Sequence, residues 1–297
     1  SLVGSEMCIR DRRSINKKFH KGIWSKFTAA LNDYDLIQPG DKIAVCISGG
    51  KDSMLMAKLF QELKRHNKFP FEVVYLVMDP GYSPENREII ERNAKMLGVP
   101  ITVFESNIFE SVLHIDKSPC YICARMRCGY LYNKAKELGC NKIALGHHYD
   151  DVIETILMGM LYGGQVQTMM PKLHSTNFEG MELIRPMYLI REDEIKRWRD
   201  FNDLHFIQCA CKFTDTCTSC NPDNASKRQE VKNMIRQLKN GQMLSICHVP
   251  QKMILHRSCQ RKYLISFICA FQTIRPVPRS QSRSCRNGLI MQISMAV

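Results

Sequence analysis

Glycines and small polar residues follow a short apolar segment near position 47 of this 297-residue chain. The segment 42–47 is β-branched and apolar enough for a buried strand, and Leu55, Leu59 and Leu63 recur after it at helical spacing. A strand-to-helix turn is therefore predicted over Ser48, Gly49, Gly50, Lys51, Asp52 and Ser53. Such a turn directs backbone N–H groups and the positive end of a helix dipole at one place, which favours phosphate binding.

The spacing of this turn differs from the two common phosphate-binding motifs, G-x-x-x-x-G-K-[ST] and G-x-G-x-x-G. The run SGGKDS at 48–53 instead resembles the signature of the PP-loop ATP pyrophosphatases, which split ATP between the α and β phosphates. A second block, KIALGHHYDDVIETILMGMLYGG at 142–164, is similar to the downstream motif of that superfamily. The resemblance extends over residues 15–240.

The chain has fourteen cysteines, and two C-x-x-C pairs stand out among them. They are Cys120 with Cys123 and Cys217 with Cys220. Each pair can bring two thiolates onto one ion, so the two together could complete a tetrahedral site. Spacing alone leaves a structural zinc site and a reactive centre as equal alternatives. In a chain of this length with an ATP motif, metal or redox roles are favoured over disulfides.

The first pair lies in PCYICARMRCG at 119–129, which resembles the tRNA 2-thiocytidine synthetase family. That resemblance implies ATP, Mg²⁺ and a [4Fe-4S] cluster held by three cysteines, with the fourth iron open to sulfur. By position the ligands would be Cys120, Cys123 and Cys217. Two further cysteines, Cys209 and Cys211, depart from the family pattern. The third ligand therefore stays open among Cys217, Cys220, Cys209 and Cys211, and these four could also form a separate zinc site.

The same resemblance implies roles for individual residues. Lys51, Asp151 and Arg127 are the expected catalytic residues, while Asp79, Gly146 and His147 are expected to bind nucleotide beside the phosphate turn. Two alternatives remain. Asp52 could bind Mg²⁺ or cap its helix, and Arg127 could lie on an ordinary solvated helix face. In the loops that follow, Tyr162 is a candidate for stacking on a base, and Lys172 for binding backbone phosphate.

Alternating periodicities predict how these residues are positioned. Strands are predicted at 42–47, 71–78, 101–104 and 142–145. Helices are predicted at 15–32, 87–97, 120–138, 150–162 and 226–240, with one more after the phosphate turn and another after an extended piece that begins near 185. This order predicts an α/β fold, a doubly wound parallel sheet of the adenine-nucleotide α-hydrolase-like (PP-loop) type with a small cysteine-rich C-terminal region. Ligands of such sheets bind at the carboxyl ends of the strands.

Charge and composition vary strongly along the chain. Residues 241–297 hold eight Lys or Arg and no Asp or Glu, and removing these eight charges from the net +13 leaves +5 for residues 1–240. We interpret 1–13 as a non-native leader, 14–205 as the ATP-binding catalytic domain, 206–240 as a cysteine-rich segment with a basic helix, and 241–297 as a basic tail that is non-native or disordered. No apolar run approaches the roughly 20 residues of a membrane helix. A cytoplasmic protein is expected.

The favoured function is ATP-dependent tRNA thiolation, in which a pyrimidine C2 oxygen is adenylated and replaced by sulfur. The expected partners are tRNA, on an anticodon-loop cytidine, and a sulfur donor, either a persulfide carrier or sulfide. A homodimer is the assembly considered. Two alternatives remain open: a PP-loop ligase or amidotransferase with structural zinc, and a non-catalytic nucleotide-binding adaptor.

Overall fold

The computed structural model describes residues 13–112, 119–166, 168–207 and 227–239. By internal contacts the chain divides into two compact units, Ser1–Val152 with Met169–Asn224 and Ile153–Thr168 with Ala225–Val297. The predicted leader, the cysteine-rich segment and the basic tail lie outside the described residues, apart from the helix that ends at Lys239. The predicted domain boundaries therefore stay predictions.

The first unit contains a six-stranded sheet in the order β3-β2-β1-β4-β6-β5. Its strands are β1 (Lys42–Ile47), β2 (Glu72–Asp79), β3 (Ile101–Glu105), β4 (Lys142–Ala144), β5 (Lys172–His174) and β6 (Glu182–Ile184). All neighbouring pairs are parallel except β5 with β6, which is antiparallel. The sheet is thus mostly parallel, and the α/β fold class is confirmed.

Two short π-helical turns, Ser14–Lys18 and His20–Trp24, precede the first α-helix. The helices that follow in the described residues are α1 (Ser25–Asp33), α2 (Lys51–His66), α3 (Pro84–Met96), α4 (Ile108–Val112), α5 (Pro119–Glu137), α6 (Tyr149–Gly163), α7 (Glu192–Phe201) and α8 (Lys227–Lys239). The first residues of α6, 149–152, belong to the first unit and the rest to the second.

The burial of β1 follows from its place in the middle of the sheet. Its residues 43–47 are all buried, as expected for a parallel strand covered by helices on both faces. The first half of α2 is also buried almost all round, with Met54, Leu55 and Leu59 inaccessible to solvent. The phosphate turn is therefore held between two rigid, buried elements.

Most sequence predictions of secondary structure are confirmed to within a residue or two. The strands predicted at 42–47, 71–78, 101–104 and 142–145 match β1 to β4, and the basic helix matches α8. The prediction of an extended piece near 185 was wrong. Residues 186–189 form turns, with Tyr188 N donating to Arg185 O (3.2 Å) and Ile190 N to Met187 O (2.9 Å). Neither β5 nor β6 was predicted.

Among the described residues, no helix is both long enough and apolar enough to cross a membrane.

Candidate active site

The phosphate turn depends on a glycine at position 49. Its backbone φ is +82°, a conformation that side chains disfavour, and a Cβ there would lie 2.5 Å from Ile90 Cγ1. Hydrogen bonds close the turn. Ser53 Oγ donates to Gly50 O (3.0 Å) and accepts from Ser48 N (3.2 Å). The turn thus brings the end of β1 and the start of α2 together as the sequence predicted.

Lys51 carries the positive charge of the turn. Its Nζ lies 2.9 Å from Asp52 Oδ2 and 3.3 Å from Glu192 Oε1. Burial tends to lower the pKa of Lys51, but the carboxylates of Asp52 and Glu192 outweigh it, and the pKa is raised. The ammonium group therefore stays charged and is held in a fixed position beside the turn.

Asp52 presents an unsatisfied oxygen at the same place. Its Oδ1 is buried and has no hydrogen-bond partner among the described residues, although His148 Nε2 lies 3.8 Å away. The helix α2 has no side-chain cap, so nothing in the structure supports a capping role for Asp52. An orphaned carboxylate oxygen at a phosphate turn fits a bound cation better.

His148 links Asp52 to Asp151. The Nδ1 of His148 lies 3.5 Å from Asp151 Oδ2, and the same oxygen accepts a hydrogen bond from His148 N at 3.0 Å. His148 is buried. Asp151 therefore accepts a hydrogen bond in the first turn of α6 and is linked to Asp52 through the ring of His148. The structure brings these predicted residues together.

Asp150 fixes the start of α7. Its Oδ2 accepts from Glu192 N at 2.7 Å, and its Oδ1 lies 3.2 Å from Arg191 Nη2. Since Glu192 contacts Lys51, Asp150 positions the residue that holds the lysine. Sequence reasoning missed Glu192. The only signal for it was an acidic run at the start of a predicted helix. Such runs are common, because acidic side chains stabilise the N-terminus of a helix through its dipole.

Gly146 and His147 lie where β4 ends. A Cβ on Gly146 would come within 3.2 Å of Ser53 N and 3.3 Å of the Asp52 carbonyl carbon, so the glycine allows the chain to approach α2 closely. His147 Nδ1 accepts from Arg185 Nε at 3.4 Å. Arg185 is buried, which lowers its pKa, and it also donates to Met170 O. Gly146 therefore borders the phosphate turn, and the role of His147 in nucleotide binding stays a prediction.

Asp79 ends the neighbouring strand β2 and shapes the loop after it. Its Oδ1 accepts from Gly81 N (2.8 Å) and Tyr82 N (2.7 Å), while Oδ2 lies 3.2 Å from Arg87 Nη1. Its role in nucleotide binding stays a prediction, because both of its oxygens already hold the loop.

A second group of predicted residues lies at the end of β2 and on helix α5. Burial raises the pKa of the Tyr82 hydroxyl, the charge of Arg127 opposes that rise, and Asp79 and Cys123 add to it. The two α5 residues Cys123 and Arg127 are half-buried, and Cys120 lies three residues before Cys123 on the same helix. Cys123 packs against the cluster of Met78 and Ile108, and Arg127 lies one turn further along the same helix. Cys217 lies outside the described residues.

Residues 20–238 match the family model of the PP-loop domain. This chain belongs to the PP-loop family. It is 36% identical over 227 residues to the tRNA-cytidine(32) 2-sulfurtransferase of Neisseria meningitidis serogroup C, covering 74% of this chain and 67% of the relative. With the enzyme of the same name from Hahella chejuensis, the identity is 36% over 238 residues, covering 78% and 79%. The resemblance found in the sequence motifs is confirmed.

A solved structure shows the same fold. The U34-tRNA thiolase NcsA of Methanococcus maripaludis, determined with its [4Fe-4S] cluster, superimposes with a TM-score of 0.59 over 86% of this chain and 80% of its own. The sequence identity is 19%, so the comparison supports the fold of the PP-loop protein.

No group of three or more His, Cys, Asp or Glu side chains within the described residues is arranged to hold a metal ion by itself. Mg²⁺ commonly takes one or two carboxylates and completes its shell with water and substrate phosphates. Asp52 and Asp151 could supply those carboxylates.

Two residues predicted to meet tRNA, Tyr162 in α6 and Lys172 in β5, have other partners here. Tyr162, in the second unit, donates from its hydroxyl to Glu230, and Lys227 Nζ lies 4.9 Å from the centre of its ring. Lys172, in the first unit, donates to Asp35 O (3.1 Å) and lies 3.4 Å from Glu182. Their contacts with RNA stay predictions.

Proposed function

We propose that this PP-loop protein is an ATP-dependent tRNA sulfurtransferase. It would adenylate the C2 oxygen of a pyrimidine, an anticodon-loop cytidine, and replace that oxygen with sulfur, releasing pyrophosphate and then AMP. The main support for the proposal is that two groups of functional residues lie at the carboxyl ends of adjacent strands. Lys51 and Asp52 follow β1, while Cys123 packs against Met78 near the end of the neighbouring strand β2, and Arg127 lies one turn further along the same helix.

The phosphate turn supplies the ATP site. Backbone N–H groups at the start of α2 and the ammonium of Lys51 would bind the β and γ phosphates and offset the charge that develops as pyrophosphate leaves. The contact between Lys51 and Glu192 keeps the ammonium in place. Asp52, with its orphaned oxygen, would bind Mg²⁺ together with phosphate oxygens, and His148 holds Asp151 beside it.

Adenylation makes the C2 oxygen a leaving group. The C2 carbonyl oxygen attacks the α-phosphorus, the bond to the β-phosphate oxygen breaks, and pyrophosphate departs. Arg127 would stabilise the negative charge on the phosphate bonded to C2, since a guanidinium stays protonated and can donate to two oxygens at once. Sulfur then bonds to C2 as the C2–O bond breaks, and AMP leaves.

The residues around Cys123 suit an iron–sulfur centre. Cys123 is half-buried, so a bound group would be shielded from water, and the buried Tyr82 hydroxyl nearby has no hydrogen-bond partner in the described chain. Cys120, Cys123 and Cys217 are the residues that would hold a [4Fe-4S] cluster. Such a cluster would bind the sulfur delivered by the donor and present it to C2.

Metal analysis tests the cysteine assignment. Protein purified without oxygen is assayed for iron, acid-labile sulfide and zinc, in the wild type, in Cys120→Ala and in Cys217→Ala. We expect about four irons per chain in the wild type and their loss in both variants. Cys140→Ala is the matched control, because Cys140 is buried in the core and should leave the iron content unchanged. Zinc without iron would contradict the proposal and favour the ligase or adaptor alternatives.

A second assay tests the reaction itself. The protein, ATP, Mg²⁺ and sulfide are incubated with tRNA, pyrophosphate is measured, and the digested tRNA is analysed by nucleoside mass spectrometry. We expect pyrophosphate release that depends on tRNA and the appearance of a 2-thiopyrimidine nucleoside. Release without thiolation would favour a ligase, and no release would favour an adaptor. The proposal also includes a sulfur donor, either a persulfide carrier or sulfide, a homodimeric assembly and a cytoplasmic location.

A further inference from the structure

The Tyr82 hydroxyl is a buried polar group without a hydrogen-bond partner in the described residues. The residue is 9% exposed and belongs to the main hydrophobic core of the first unit. Buried hydroxyls are nearly always bonded, because an unmade bond costs stability, so an orphan calls for an explanation. A group that binds at this place would supply the missing partner.

The loop holds the tyrosine ring in one orientation. Asp79 Oδ1 accepts from the backbone N of Tyr82 at 2.7 Å, and the ring packs edge-to-face on Phe109 with 6.3 Å between the centroids. Cys123 packs against the same core cluster. The hydroxyl therefore cannot turn toward solvent without giving up these contacts.

The charged groups that act on the hydroxyl do not accept a hydrogen bond from it. Arg127 has only donors. The carboxylate of Asp79 is engaged by Gly81, Tyr82 and Arg87 through nitrogen atoms. A tyrosine hydroxyl is ordinarily protonated at neutral pH, so the group can donate a hydrogen bond. Within the described residues the hydroxyl has no acceptor. Cys123, which packs against the same core cluster, is the residue that would hold a sulfur-bearing group there.

We propose that the Tyr82 hydroxyl donates a hydrogen bond to the sulfur-bearing group held at Cys123, and that Tyr82 is thereby a positioning residue for sulfur transfer. The inference rests on the proposed function. A hydrogen bond to a sulfur of an iron–sulfur centre stabilises the more negative state, so it raises the reduction potential of that centre. It also fixes the position of the sulfur relative to the substrate.

The test compares Tyr82→Phe with Tyr75→Phe in the anaerobically purified full chain. Tyr75 is a matched control, because it is a buried tyrosine of the same core cluster and lies mid-way along β2. We expect Tyr82→Phe to retain iron and sulfide but to shift the reduction potential of the centre to more negative values. Thiolation should slow by about tenfold, the effect of one lost hydrogen bond, while tRNA-dependent pyrophosphate release is unchanged. Tyr75→Phe should shift neither.

A measurement on the metal-free protein keeps the test independent of how completely the iron–sulfur centre is assembled. Since the substitution removes only an oxygen without a partner, metal-free Tyr82→Phe should unfold at the same temperature as the wild type or higher. An intact centre with an unchanged potential in Tyr82→Phe would overturn this inference and leave the proposed function standing. Absence of iron from the wild type would overturn the proposed function, and this inference with it.

Discussion

Lys51 supplies the positive side-chain charge at the phosphate turn. Its ammonium is held between Asp52 and Glu192, so its charge is fixed where pyrophosphate would lie. Replacing Lys51 with Met should lower tRNA-dependent pyrophosphate release by about 100-fold or more, the usual cost of removing one transition-state charge contact. Lys64→Met is the control, because Lys64 is exposed in the last turn of the same helix. A loss below about threefold would remove Lys51 from the chemistry.

Gly49 is required by both its backbone and its surroundings. With φ at +82° and Ile90 Cγ1 2.5 Å from where a Cβ would be, Gly49→Ala combines strain with a clash. We expect it to lower the free energy of unfolding by about 1–3 kcal/mol, measured by urea denaturation. Gly129→Ala, inside α5 with nothing within 4 Å, should instead raise it by about 0.5–1 kcal/mol. Equal changes in the free energy of unfolding of the two variants would show that position 49 does not require glycine.

At the scale of elements, a buried ion group joins β4 to β6. Lys142 Nζ on β4 lies 2.9 Å from Asp41 Oδ2 and 3.0 Å from Glu182 Oε2 on β6, and it donates to Leu36 O. Lys142→Met would leave two carboxylates without their shared cation and should destabilise the protein by about 3–5 kcal/mol. Lys134→Met removes a more exposed pair with Glu137 and should cost under about 1 kcal/mol in the same denaturation assay. Similar losses in the two variants would mean that the buried group adds nothing.

The same group predicts how stability depends on pH. Burial tends to raise the pKa of Asp41, but hydrogen bonds from Gln38 N, Lys142 and Asn141 outweigh it, and the pKa lies below its ordinary value. The pKa of Glu182 is lowered in the same way by Lys142 and Lys172. Both carboxylates therefore bind protons more readily in the unfolded chain, so their stabilisation is complete above about pH 5 and is lost as the pH falls through the folded pKa values.

Asp41→Asn should make this acid loss shallower. The urea midpoint of the wild type is expected to fall steeply between about pH 5 and pH 3, while that of Asp41→Asn starts lower and falls less. Asp200→Asn, which changes an exposed carboxylate, should keep the slope of the wild type. A parallel fall in Asp41→Asn would assign the acid sensitivity to other groups.

How much of the fold the sequence could predict depends on the length and burial of each element. Strand β1 was predictable because five of its six residues, 43–47, form a continuous apolar run, and the turn after it because glycines and small polar residues end that run. Strands β5 and β6 have three residues each, too few to show a period. Strand β4 is equally short, but it opens the block at 142–164 that resembles the downstream motif of the superfamily. The contact of Lys51 with Glu192 spans 141 positions of the chain, so only the folded sheet and its helices reveal it.

At the scale of the whole molecule, the distribution of charge bears on how tRNA would bind. Residues 1–240 carry a net charge of +5, and residues 241–297 add eight positive charges outside the described part of the chain. If those eight charges gripped phosphates, removing them would weaken the salt dependence of tRNA binding, by about 0.7–0.9 in the slope of log K against log salt for each lost contact. If they take no part, the slope stays the same.

We expect a chain that ends at residue 240 to bind tRNA with the salt slope of the full chain, because the sequence of the tail lacks the apolar periodicity of a folded RNA-binding element. The measurement is a tRNA titration of both proteins from about 50 to 200 mM salt, where such a difference is large. The control is Arg236→Gln on the described helix α8, which tests how far one basic residue of the body alters the slope. A slope smaller by several units in the shortened chain would contradict this expectation and make the tail a phosphate-binding arm.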